Sequence, residues 1–151
     1  ANPLYLAYTR DWSFTAVHAQ PTQASAIQIG NPVSIQKAIR TLKTYNGIVE
    51  QATESELAEA AARADRTGMF NCPHTGVALA ALVKLRKRGV IASSDRVVVI
   101  STASGLKFTD FKLGYHENRL SEISAQRANL PQELPNDYDV VRKSVDKAVP
   151  I

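Results

Sequence analysis

The residue types in this chain that can do chemistry gather in two short stretches. Asn71-Cys72-Pro73-His74-Thr75-Gly76 places a thiol, an imidazole and a hydroxyl within four positions, and Ser101-Thr102-Ala103-Ser104-Gly105 brings three hydroxyls up to a glycine. A thiol beside a helix N-terminus can act as a nucleophile, because the positive end of the helix favours the thiolate. Cys72 and His74 stand two residues apart across a turn, however, which is poor geometry for a thiol–imidazole pair, and no third group is placed to orient the ring. A buried, inert cysteine is the better reading, with a small thiol enzyme as the weaker alternative. His74 can donate a hydrogen bond or meet an anion, and a purely structural role is equally open. The hydroxyl stretch makes the stronger case. A neutral hydroxyl bonds a heteroaromatic nitrogen or a phosphate oxygen without adding charge, although such a loop can also do no more than satisfy its own backbone. Ala24 to Pro32 brings small residues and a Gly-Asn turn to a helix start, either as an anion or substrate wall or as a plain joint. His18, His74 and His116 are too scattered for a metal site, and no metal is expected.

These stretches must be carried by secondary structure, and the pattern is that of strands alternating with helices. Asn2-Pro3 reads as a helix start, followed by an irregular stretch over 10–23 that Trp12 and Phe14 pack down. Asn31-Pro32 opens a second helix through Val33, Ile35, Ala38, Ile39 and Leu42, ending near Asn46-Gly47. Ile48 to Ala52 reads as a short strand. Thr53-x-x-Glu56 is a capping box that opens a helix to about Arg66, and Gly68 ends it. Met69 to Cys72 is a second short strand. A third helix runs from Pro73 to about Arg88, apolar along Val77, Ala78, Ala81, Leu82 and Leu85. Arg96 to Ile100 is the clearest strand, β-branched almost throughout. The chain to Asn136 then reads as polar loop, and a last helix covers about 138–148. Strand–helix alternation with short connections predicts an α/β fold, a parallel sheet with crossover helices. In such a sheet ligands sit outside the carboxyl ends of the strands, which places Ala52-Thr53, Cys72 to Thr75 and Ser101 to Gly105 on one rim. Taken alone, the residues predict an α/β ligand-binding fold and no reaction.

The 151 residues are 44% hydrophobic and 21% charged, with seven glycines and seven prolines, which fits a globular domain and excludes a disordered or collagen-like chain. The longest apolar runs, such as Val97 to Ile100, are far too short to span a bilayer, so no membrane partner is expected. A single cysteine excludes an internal disulfide framework. The net charge of +4 is a mild excess. Its dense part, Lys84, Arg86, Lys87 and Arg88, falls where cations offset the negative end of a helix, and no aromatic stands near to stack on a base. No nucleic-acid partner is expected. Opening at Ala1 without an initiator Met or leader, the chain is expected to be a processed protein or a piece of a longer one.

Four stretches resemble a known family: ASAIQIGNPVSI (24–35), NGIVEQATESEL (46–57), TGMFNCPHTGVALAAL (67–82) and VVVISTASGLKFT (97–109), preceded by NPLYLAY (2–8). They resemble the C-terminal portion of threonine synthase, above all its plant plastid type, in one order from about residue 2 to 116. The resemblance implies a pyridoxal-phosphate enzyme of fold type II, the tryptophan-synthase-β architecture of two α/β domains around the cofactor. It implies conversion of O-phosphohomoserine and water to threonine and phosphate. Thr102, in the Thr-x-x-Gly-Leu-Lys motif, is then expected to face the pyridine nitrogen of the cofactor, with Ser101 beside it. His74, Thr75 and Ser104 fall on the cleft rim, Ser104 standing where the family commonly has His. The Schiff-base lysine, the glycine-rich phosphate cradle and the plant effector region for S-adenosylmethionine are expected upstream of this chain, which leaves Lys107 structural and the catalytic residues of this portion unknown.

The resemblance also implies a division into residues 1–116, the C-terminal part of the catalytic domain, and 117–151, an extension with a terminal helix. The remainder of the enzyme chain and a second copy in a homodimer are the implied partners, in the chloroplast stroma for a plant protein and the cytoplasm otherwise. The other class of reading is a non-catalytic fragment or truncated relative that binds a ligand or partner.

Overall fold

The computed structural model describes residues 2–149. Six α-helices follow in order among them: α1 (Pro3–Thr9), α2 (Ile35–Thr44), α3 (Glu54–Asp65), α4 (Pro73–Lys87), α5 (Thr109–His116) and α6 (Tyr138–Ala148), with short 3-10 turns at Ser25–Ile27 and Gly105–Lys107. None is long and apolar enough to cross a membrane.

The local signals explain most of the boundaries. The capping box of α3 forms in full: Glu56 N–H donates to Thr53 Oγ1 at 3.2 Å and Thr53 N–H to Glu56 Oε2 at 2.8 Å. Asn46 takes φ 53° just after α2, and Gly47 N–H closes the end on Leu42 O at 2.7 Å. Other starts differ from expectation. Asn2 makes no capping bond to α1 and instead donates across the fold to Gln51. Helix α2 begins at Ile35 rather than at Pro32, and Val33 is left fully exposed, while Ile35 and Ile39 pack with Ala7, Leu4, Trp12 and Phe14.

The main core lies where α3 meets α4. Leu57, Ala58, Ala61 and Ala62 of α3 are buried, and α4 answers with Gly76 and Ala80. A Cβ on Gly76 would sit 2.5 Å from Leu57 O and 3.2 Å from Ala61 Cβ, so the two backbones approach as closely as small residues allow. Of the apolar stripe expected on α4, Val77 packs against this core and Ala81, Leu82 and Leu85 are half-buried, while Ala78 is exposed. Helix α4 is apolar around most of its girth, and its Ala78 and Leu82 side lacks the cover that its Gly76–Ala80 side has.

The expected parallel sheet is not formed by the described residues. The one β-bridge outside helices is antiparallel, between Asn71 and Ser104. Segments 48–52 and 96–100 have no ladder partner, and Val98 and Ile100 stand 89% and 76% exposed. The physical reason is general. A β-branched run supplies side chains that suit a pleated surface, whereas the ladder needs a neighbouring strand to complete its hydrogen bonds.

Helix α5 lies inside the stretch expected to be loop. Phe111 and Tyr115, four apart, point into the core with Ile123, and the chain beyond folds back over them. Asn118 Oδ1 accepts from Ala125 N–H at 3.1 Å and His116 Nδ1 from Asn129 N–H at 3.1 Å. Glu59 of α3 gathers the Tyr115 hydroxyl, the Arg127 guanidinium and, at 2.9 Å, Gln126 N–H. Burial and the Glu59 carboxylate both push the Tyr115 phenol well above its ordinary range. Helix α6 buries no residue.

The basic end of α4 does more than offset the helix dipole. Lys84 Nζ reaches Gln51 O at 2.9 Å and Glu56 Oε2 at 3.2 Å, and Arg88 meets the buried Glu50 at 2.5 Å. Three of the four cations are engaged, since Arg86 also donates to Ile91 O at 2.6 Å.

Candidate functional site

The two chemically suggestive stretches lie against each other. Cys72 N–H donates to Ala103 O at 3.2 Å and Gly105 N–H to Phe70 O at 3.0 Å, on either side of the Asn71–Ser104 bridge. A side chain at position 105 is excluded, because a Cβ there would lie 2.9 Å from both the Phe70 ring and Lys112 Cε.

This pairing brings four polar side chains into one chain of contacts. Ser101 Oγ lies 3.3 Å from Thr75 Oγ1, Thr75 Oγ1 lies 3.2 Å from Cys72 Sγ, and Cys72 Sγ lies 3.7 Å from Thr102 Oγ1. Thr75 and Cys72 are buried, while Ser101 and Thr102 are exposed. Two exposed loop residues thus have their hydroxyls held from behind by α4.

The sulfur is also the N-cap of α4, accepting from Thr75 N–H at 3.4 Å. Burial pushes the thiol up, but hydrogen bonds from the Thr75 hydroxyl and amide, from Thr102 and from His74 outweigh it and bring Cys72 down to about 6. A cysteine read from sequence as inert packing is therefore the polar hinge of the cluster.

The other expected rim residues go elsewhere. His74 Nε2 accepts from Ala26 N–H at 2.9 Å, and its ring meets Phe108 edge-on at 5.1 Å, so it ties α4 to the small-residue stretch at 24–32. Ser104 caps the following turn, its Oγ accepting from Leu106 N–H at 3.2 Å. Lys107 is exposed at the end of that turn.

Beneath the loop lies a charged group that sequence reasoning missed. Lys112 is buried, its ammonium 2.6 and 2.8 Å from the two Asp65 oxygens and 4.9 Å above the Phe70 ring. Asn71 completes the arrangement, its Nδ2 donating to Asp65 at 3.2 Å and to Met69 O at 2.9 Å. Burial lowers the Lys112 pKa and Asp65 opposes the shift. Nothing local in the sequence marks this pair, whose members are 47 positions apart.

The loop presents neutral hydroxyls and no carboxylate, a donor set that suits a heteroaromatic nitrogen or a phosphate oxygen. Among the described residues no group of His, Cys, Asp and Glu is arranged to hold a metal ion. Residues 2–103, which carry every member of this cluster, match the family described as "Pyridoxal-phosphate dependent enzyme", and the chain belongs to that family.

Within it the similarity is to threonine synthases. The chain is 59% identical over 143 residues to threonine synthase 2, chloroplastic, of Arabidopsis thaliana, covering 93% of this chain and 28% of that protein. It is 35% identical over 112 residues to threonine synthase of Methanocaldococcus jannaschii (73% and 28%) and 30% identical over 149 residues to that of Synechocystis (95% and 36%). The chain thus spans 28% to 36% of the length of these relatives.

Proposed function

We propose that this chain is the C-terminal part of a threonine synthase, which converts O-phosphohomoserine and water to threonine and phosphate. The observation that carries the reading is the 59% identity over 143 residues to a plastid threonine synthase. The hydroxyl cluster fits the cofactor of that family. Pyridoxal phosphate supplies an electron sink when bound, and the protein contributes positioning and electrostatics. Thr102 would hold the pyridine nitrogen with a neutral hydroxyl, which, unlike a carboxylate, does not lock that nitrogen in its protonated form. Ser101 stands beside it, and Thr75 and Cys72 brace the pair. His74 and Ser104 shape the neighbouring rim.

In the whole protein, segments 48–52, 69–72 and 96–100 take places in the parallel sheet of a fold type II domain, with α3 and α4 as crossovers. The exposed β-branched side chains at 97–100 support this. The catalytic domain ends near residue 116, and 117–151 is an extension whose first part, 117–129, folds back on it. The Schiff-base lysine and phosphate cradle belong to the preceding part of the protein, the functional unit is a homodimer, and the compartment is the plastid stroma.

The test is turnover by the full-length protein loaded with pyridoxal phosphate. Phosphate and threonine should be released in equal amounts from O-phosphohomoserine, and residues 1–151 alone should release neither. Absence of turnover by the loaded full-length protein would overturn the reading.

A further inference from the structure

We propose that Cys72 is a positioning residue for Thr102, its protonation state deciding whether the Thr102 hydroxyl offers a proton or a lone pair to the group it faces. This rests on the reading that Thr102 meets the cofactor ring nitrogen.

The argument is one of donor counting. A hydroxyl has one proton and two lone pairs, a thiol has one proton, and a thiolate has none. Thr102 Oγ1 lies 3.7 Å from Cys72 Sγ, so one direction of its hydrogen bonding is spent on the sulfur. When Cys72 is a thiol, its S–H can donate to Thr102, and the Thr102 O–H is free to donate outward. When Cys72 is a thiolate, Thr102 and Thr75 both donate to sulfur, and Thr102 presents only lone pairs. An unprotonated ring nitrogen requires the first arrangement and a protonated one the second. A threonine beside a fixed neutral residue would have no such preference.

The surroundings allow the sulfur to take either state. Thr75 N–H and Oγ1, at 3.4 and 3.2 Å, hold the charge of a thiolate, and the N-terminus of α4 favours it. The titratable and charged groups around Cys72 are His74 on α4 and Lys112 on α5, the latter paired with Asp65 of α3. The 69–71 and 101–105 segments bring only neutral side chains. With the Cys72 pKa brought down to about 6, both states lie within an accessible pH range.

The experiment uses the full-length protein loaded with pyridoxal phosphate, comparing Cys72→Ser, Cys72→Ala and Thr102→Val. The readouts are the absorption spectrum of the bound cofactor from acid to alkaline pH and the cofactor dissociation constant. Ser keeps an N-cap acceptor for α4, which guards against loss of the fold. The parent spectrum should change through an ionisation near pH 6 that both Cys72 variants lack, and in Cys72→Ala, which loses the contact with Thr102, cofactor affinity should fall about three- to tenfold, as for loss of one hydrogen bond. If Thr102→Val alters spectrum and affinity while the Cys72 variants match the parent in both, the proposal falls and the placement of Thr102 stands. If Thr102→Val also matches the parent, the placement fails and the proposal with it.

Discussion

Lys112 Nζ lies 2.6 Å from Asp65 Oδ2 inside the protein, directly below the backbone of Gly105. The pair joins α3 to α5 and supports the loop that carries Ser101 and Thr102. Removing one partner leaves a buried charge alone, which costs about 3–5 kcal/mol, whereas replacing both with apolar groups of similar volume is often close to neutral. Lys112→Met and Asp65→Leu should each lower the stability of the full-length protein by that order. The double variant should recover much of the loss. Denaturant unfolding of the four proteins checks this, and additive losses would show that the pair acts as two independent groups.

Two glycines should respond to alanine for different reasons. At Gly76 the added Cβ meets Leu57 O at 2.5 Å, so α3 and α4 must separate, at a cost of about 1–3 kcal/mol. At Gly68 it meets nothing, but φ is +84°, a conformation that strains an L-residue by about 1 kcal/mol. Gly76→Ala should therefore lower the melting temperature more than Gly68→Ala. The opposite order would mean that the α3–α4 contact is slack.

The capping box at Thr53 makes a prediction about acid. Burial raises the Glu56 pKa, but the bonds from Thr53 N–H and Lys84 outweigh this and leave it below 4.5. A carboxyl lowered on folding contributes stability that is present above its unfolded value and lost as pH falls through its folded value. Thr53→Ala should cost about 1 kcal/mol near neutrality. The penalty should shrink as pH falls below 4.5 and Glu56 of the parent takes up its proton. Melting curves across that range decide it, and a penalty independent of pH would assign the whole effect to the Thr53 hydroxyl.

Local signals of this kind were the legible part of the sequence. Thr53-x-x-Glu56, Asn46-Gly47 and Pro73 set helix ends through contacts a few residues long, and the structure keeps all three. The hydroxyl loop was legible as well, because small polar residues after a β-branched run stand out in composition. Helix α5 was not: it is eight residues long, and its buried Lys112 reads as surface until Asp65 is brought to it. The role of Cys72 was hidden for the same reason, since Thr75 is near in sequence but Ser101 and Thr102 reach it only through the fold. The 96–100 segment marks the converse case. Its residue types suit a strand, but no strand forms there among the described residues, because pairing depends on neighbours that they do not supply.

His116 ties the returning chain to α5 by accepting from Asn129 N–H at 3.1 Å. Burial lowers its pKa below 6.5, the nearby Asp65 opposes this and Lys112 adds to it. A histidine lowered on folding binds its proton more readily when unfolded, so its contribution to stability is complete above about 6.5 and is lost as pH falls below that value. Protonation of Nδ1 also removes the lone pair that Asn129 uses. Mild acid should therefore loosen residues 117–129 before the α3–α4 core, visible as faster proteolytic cleavage in that segment at about pH 5.5 than at 7.5 after correction for protease activity. His116→Gln, which keeps an acceptor that does not titrate, should abolish the difference.

The exposed apolar residues at 97–100 lead to a prediction about residues 1–151 expressed alone. Val97, Val98 and Ile100 are 45%, 89% and 76% exposed, and Met69 and Phe70 nearby are 50% and 43% exposed. A β-branched run with open backbone hydrogen bonds is a template for pairing with other chains. The helical part has its own core at α3, α4 and α5, so the chain should collapse and keep helix while associating through this surface. Far-ultraviolet circular dichroism should report substantial helix, and light scattering should report large, concentration-dependent species. Val98→Lys with Ile100→Lys should shift the scattering toward monomer with little change in helix signal. A parent chain that is monomeric and melts sharply and reversibly would show instead that these side chains need no cover.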